Sequence, residues 1–319
     1  MSSAELERFD LVLTGGLLVD AAAGAHVVRD VAIRGGKVVR VAPHIDIEVA
    51  AAVVDVGGML VTPGLVDLHV HAYPGGSFWG MDVDDVSLRN GVTTIVDAGS
   101  AGAANFAGLE AHLRNARLRS RAFLNIASIG LAGQHGELLS LAYLDEDAAI
   151  ETALRYPERI IGFKLRASPN TVGANARVAL EALRRVADAT GLKAMVHVSE
   201  GPPDLGEILS YLRAGDILTH CFTPYDNGVV KEESAVSDEV REALERGILL
   251  DVGHGSGSFS FAAAERFVAT GLPLPIVSTD LHRASALGPA FDLNTVMTKM
   301  LAAGATFEAV LEAVTVAPA

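Results

Sequence analysis

The spacing of apolar residues changes character near Leu60. From Phe9 to about Leu60, short β-type runs are interrupted by glycine pairs: DLVLTGGLLVD, DVAIRGGKVVRVA and AAVVDVGGMLV. The GG pairs predict tight turns between the strands of a small β unit, and no helical periodicity occurs there. From Leu60 onward the pattern becomes strand, loop, helix, repeated. Apolar runs predict strands at Leu60–His69, Thr93–Asp97, Arg121–Ala127, Ile160–Lys164, Ala194–His197, Asp216–His220, Ile248–Val252 and Ile276–Asp280. Between them, segments such as Ala174–Thr190 and Asp238–Gly247 carry charges on one side and apolar residues on the other, as surface helices do.

Strands rich in Val, Ile and Leu with little alternation suit a parallel sheet covered on both faces. Eight strand–helix units over about 250 residues match a (β/α)8 TIM-type barrel. A doubly wound sheet would need a glycine-rich phosphate loop after its first strand, where this chain has HVHAYPGG. The expectation is an α/β protein in two parts: residues 1–60 as a small β-sandwich unit and 61–319 as the barrel. A length of 319 residues accommodates both.

Composition narrows the class of partner. Half of the chain is hydrophobic, enough for a sizeable core. A formal net charge of −14 disfavours a nucleic-acid backbone or an anionic membrane as the main partner. The single cysteine, Cys221, excludes an internal disulfide and fits a reducing compartment. The opening MSSAELERFD has no apolar secretory core, and no run of about twenty apolar residues occurs anywhere. A cytoplasmic protein acting on a small molecule is expected, without nucleic-acid or membrane partners.

Candidate chemistry gathers at the predicted strand ends. His69 and His71 close the first strand in VTPGLVDLHVHAYPGG, and residues i and i+2 of a strand face one side. Lys164 closes strand four in GFKLR, His197 strand five in AMVHVSE, His220 strand six in ILTHC, and Asp280 strand eight in IVSTD. Any one of these, taken alone, reads first as a core residue with a satisfied hydrogen bond, and Lys164 as a salt-bridge partner at the barrel mouth. Five strands closing this way point to a metal site at the C-terminal face, where barrel active sites lie.

Around that centre, Arg166 falls two residues past Lys164, where it would either hold a substrate carboxylate or brace the rim against an acid. His254, closing strand seven in DVGHGSGS, suits substrate binding or the orientation of a ligand. Ser256, Tyr73, His282 and Arg283 occupy predicted rim loops, and His135 follows strand three. His26, His44 and His112 lie in polar surroundings away from strand ends, and Cys221 should point away from His220 as a small buried residue.

The motifs PGLVDLHVH, GVTTIVDAGS, IIGFKLR, AMVHVSE, GDILTHCF, GILLDVGHGSGSFSF and VSTDLH together resemble the amidohydrolase superfamily of metal-dependent hydrolases. GDILTHCF, DVGHGSGSFSF and STDLH resemble its dihydroorotase-like amidohydrolase/deacetylase branch. The resemblance implies two divalent ions, zinc above all. His69, His71 and Asp280 would hold one, and His197 and His220 the other. Lys164 would bridge them as a carbamate formed with carbon dioxide. It implies a metal-bridging hydroxide as nucleophile, with Asp280 as ligand and proton shuttle. The implied activity is deacetylation of an acyl ester or amide of a small carboxylate-bearing molecule. A cyclic amidase of dihydroorotase or hydantoinase kind is the alternative, and a non-catalytic scaffold a reading of different class. A homo-oligomer is expected. The resemblance also implies a composite β domain completed by C-terminal strands, whereas the sequence ends at EAVTVAPA, where that return would start.

Overall fold

The computed structural model describes residues 8–231 and 236–319. Contacts divide the chain into two units, one ending at Gly64 and the other comprising Leu65–Ala319. In the first unit, β1 (Leu11–Asp20), β2 (Ala25–Arg34), β3 (Lys37–Ala42), β4 (Val53–Asp55) and β5 (Leu60–Val61) form one sheet in the order β3-β2-β1-β4, with β5 also on β1. Phe9, Val12, Ala32 and Ile45 are its buried centre. Gly35–Gly36 turns β2 into β3, and Gly57–Gly58 separates β4 from β5. Gly15–Gly16 departs from expectation: it lies within β1, where the register against β2 shifts between Leu13 and Gly16. That pair is a bulge, since an added residue on one strand kinks it without ending it.

The second unit is a parallel sheet of β6 (Leu65–Val70), β7 (Val92–Gly102), β8 (Arg119–Asn125), β9 (Ile160–Arg166), β10 (Lys193–His197), β11 (Ile217–Thr219) and β12 (Leu249–Asp251), paired in chain order. The predicted eighth strand contributes two bridges only: Ile276 pairs with Asp251 of β12, and Leu281 pairs with Val70 of β6. The segment Ile276–Leu281 thereby links both edges of the sheet, and the strands form a TIM-type (β/α)8 barrel. Leu68, Val96, Ala98, Phe123, Met195, Ile217 and Ile276 fill a buried cluster drawn from six of these segments. Burial of such side chains stabilises by roughly 1.5–3 kcal/mol each.

Helices alternate with the strands. The segment predicted at 174–190 is a helix over Ala176–Thr190 after a short 3-10 turn, and the one at 238–247 is Asp238–Glu245. Helix Leu293–Ala302 starts where the Asp292 carboxylate accepts the Thr295 N–H at 2.7 Å, satisfying a donor that the first turn leaves open. No helix among the described residues is long and apolar enough to cross a membrane.

Candidate metal centre

Each predicted ligand sits where a barrel strand gives way to a loop. His69 is in β6 and His71 follows it, Lys164 is near the end of β9, His197 ends β10, His220 follows β11, and Asp280 lies in the closing segment. All six line one cavity of about 520 Å³. One ligand atom from each of His69, His220 and Asp280 lies within 4.8 Å of the others. The His197 and His220 rings are 4.4 Å apart between centroids, and Lys164 Nζ is 3.5 Å from His69 Nε2.

Hydrogen bonds on the outer side of the rings set their tautomers. His69 Nδ1 lies 3.0 Å from Thr219 Oγ1 and 3.2 Å from Asp251 Oδ2, while Thr219 Oγ1 donates to the same carboxylate at 2.6 Å. Ser278 Oγ donates to the other Asp251 oxygen. His71 Nδ1 meets Ser100 Oγ at 2.9 Å, and Asp97 accepts the Ser100 and Ala72 N–H groups. His220 Nδ1 donates to the Gly253 carbonyl at 2.6 Å. With Nδ1 so engaged, each Nε2 is the lone-pair nitrogen available to a cation. Asp67 ties the first strand to the closing segment by accepting from Thr279 Oγ1 at 2.6 Å and from its N–H.

Two of the predicted ligands adopt a left-handed backbone: His220 has φ 68° and Asp280 has φ 47°. Non-glycine residues there store about 1–3 kcal/mol each and persist only where their surroundings over-determine them. The glycines beside them explain the tolerance. A Cβ at Gly253 would come 2.9 Å from His220 Nδ1 and 3.1 Å from His69 Nδ1. At Gly255 it would come 2.5 Å from Asp280 Oδ2.

Electrostatics favour a cation at this point. Burial lowers His69, takes His197 well below its usual range, and brings His220 down to about 3. The rings are therefore neutral. Burial would raise Asp280, yet His69, His71 and His282 around it hold the carboxyl well below the ordinary range. Burial also pulls Lys164 down to about 8, despite the opposing charges of Asp280 and Asp251. Asp280 Oδ1 is sealed from solvent and accepts no hydrogen bond, although it lies 3.1 Å from His71 Nε2. A buried carboxylate oxygen without a donor, facing the His69 and His71 rings, fits a divalent ion.

The rim residues divide. His282, Ser256, His135 and Arg166 line the cavity. Arg166 is bidentate to the buried Glu137, Nε to Oε1 at 2.6 Å and Nη2 to Oε2 at 2.8 Å. Tyr73 and His254, expected near the site, do not line the cavity. The Tyr73 hydroxyl donates to the Asn105 carbonyl at 3.1 Å. His254 is turned to Lys299 Nζ, 2.8 Å from its Nε2, and burial brings it down to about 4. Arg283 stacks on Phe78, and Cys221 is a buried free thiol. Trp79, Asn170, Ser199, Glu200 and Tyr225 also face the cavity without having stood out in the sequence. Asp251 could have been found by the strand-end rule that found Asp280, because it closes the apolar run of GILLD. Glu137 carries no such signal.

No protein-family model matches the chain. A deacetylase of Agrobacterium fabrum is 38% identical over 294 residues, covering 91% of this chain and 72% of that protein. Deacetylases of Brucella anthropi and Enterococcus faecalis are 39% and 31% identical, over 83% and 98% of this chain and 67% and 84% of theirs. Among solved structures, one described as a dihydroorotase superposes with TM-score 0.89 at 37% identity, over 97% of this chain and 82% of that one. One described as an adenine deaminase gives 0.90 at 29% identity, over 97% and 83%. These relatives, the barrel and the cluster of imidazoles and carboxylate at its mouth make the chain a hydrolase that uses divalent metal. It belongs to the deacetylase branch of the amidohydrolase superfamily.

Proposed function

We propose that the protein is a two-zinc deacetylase that hydrolyses an acetyl ester or amide of a small carboxylate-bearing molecule. The observation that carries this is the convergence of His69, His71, Lys164, His197, His220 and the orphaned Asp280 oxygen on one cavity. His69, His71 and Asp280 would hold one ion, and His197 and His220 the second. Lys164 would hold both as a carbamate, the state open to an amine that burial has brought down to about 8. When bound, the ions polarise the substrate carbonyl and lower the pKa of water towards about 7.

The chain's own groups do the rest. Asp280 takes the proton of the attacking water and returns it to the departing alkoxide or amine, as base and then acid. Arg166, its Nε and Nη2 committed to Glu137, turns Nη1 to the substrate carboxylate. His282 and Ser256, whose Oγ and Nε2 are 3.4 Å apart, contact the acyl portion. A single buried thiol suits the cytoplasm, and we expect a homo-oligomer.

Elemental analysis of protein purified with bicarbonate and without chelator tests the site, with close to two zinc ions per chain expected. Acetylated hydroxy and amino acids are then assayed beside dihydroorotate and hydantoin. Turnover confined to the cyclic amides would move the reading to a cyclic amidase, the activity named for the dihydroorotase of similar structure. Folded protein that takes up no metal would turn it to a scaffold.

A further inference from the structure

We infer that Lys299 is a positioning residue for the metal centre, acting through His254 on the Gly253–Gly255 turn that braces His220 and Asp280. The inference rests on the metal-site reading above. Neither Lys299 nor His254 lines the cavity, so contact with substrate does not account for them. Lys299 Nζ, on helix Leu293–Ala302, donates to His254 Nε2 at 2.8 Å and to the Pro289 carbonyl at 2.7 Å. His254 is 1% exposed and stacks on Phe259 at 4.5 Å between centroids with 13° between planes. A ring whose Nε2 accepts from an ammonium carries its proton on Nδ1. That nitrogen lies 2.9 Å from the Gly255 carbonyl, to which it donates.

The chain of contacts continues inward. The Gly255 N–H donates to the Thr279 carbonyl at 2.9 Å, next to Asp280, and the Gly253 carbonyl accepts from His220 Nδ1 at 2.6 Å. Gly253 and Gly255 have φ 47° and 55°, a shape that needs external support to persist in one form. Lys299 and His254 supply it from the side away from the cavity. Without the ammonium, the buried Nε2 loses its donor, the tautomer is no longer fixed, and the Gly255 carbonyl can lose its partner. The two ligands then relax from their left-handed backbone.

The test compares Lys299→Met, Lys299→Arg, His254→Gln and the Met/Gln double variant with the parent protein. Zinc affinity is read on metal-free protein against a competing chelator, with kcat and KM read separately. Lys299→Met should weaken zinc binding about 10-fold, within the range for losing a residue that orients a ligand. It should lower kcat more than KM changes, and Lys299→Arg should recover most of both. The double variant should be no worse than the more damaged single one. Wild-type zinc affinity in Lys299→Met, or penalties that add in the double variant, would overturn the inference and leave Lys299 as an anchor of its helix. If Lys299→Met does not fold, His254→Gln alone carries the affinity test in the same sense. Histidine 15N spectra of metal-free protein separate the two readings. A parent chain that binds no zinc defeats the metal-site reading. In that case, loss of the His220 Nδ1–H signature in Lys299→Met still sustains the linkage, and an unchanged spectrum overturns it.

Discussion

The floor and the rim of the cavity are built by opposite rules. On the floor, His69, Asp251, Thr219, Ser278, Asp67 and Thr279 are at most 1% exposed and joined by short hydrogen bonds across the barrel. On the rim, His135 and Glu200 are exposed, and Trp79, Asn170, Ser199 and Tyr225 are at least partly so. The floor has one arrangement, because every polar group lost there leaves a buried partner unsatisfied. The rim has water as an alternative partner and can change residue by residue. On the proposed reading, the buried floor carries the chemistry and the more exposed rim meets the substrate.

Substitutions on the two sides sharpen this contrast. The largest effect is expected from Asp280→Asn: a fall in turnover of about 10²–10⁴-fold with much of the metal still bound, measured by kcat beside elemental analysis. Activity near the parent level would remove Asp280 from the proton path. Asp251→Ala comes next, since it touches no cavity residue except through His69. Metal affinity should fall about 10–100-fold, read by chelator competition. If affinity holds, the floor network is not what orients His69. Glu137→Gln should be smallest: Arg166 loses its bidentate partner, KM for a carboxylate substrate rises about 10-fold and kcat stays within twofold, because one charge-assisted pair of roughly 1.5–3 kcal/mol is weakened. A matching collapse of kcat would mean that the rim is as rigid as the floor.

The barrel was legible because its strands are continuous apolar runs, and the candidate ligands because a histidine, lysine or aspartate ended five of them. Sequence periodicity does not fix the direction of a side chain once the strand has ended, so it does not show that Tyr73 meets the Asn105 carbonyl or that His254 meets Lys299. Gly15–Gly16 shows the same limit, since a glycine pair signals φ freedom and not whether the chain reverses. The partners that brace the site were illegible for another reason. His69 meets Thr219 and Asp251 across 150 and 182 positions, and Asp67 meets Thr279 across 212. No local pattern announces a contact of that separation.

The left-handed backbone at His220 and Asp280 sets two optima against each other. Glycine at either position would relieve strain and give a sturdier empty fold. The same change deletes a proposed donor to the metal. A library ranked by heat resistance in chelator would climb toward those substitutions, while one ranked by turnover would reject them. The sequence that best tolerates being empty is therefore not the one that works, and metal supply would decide which of the two a selection rewards.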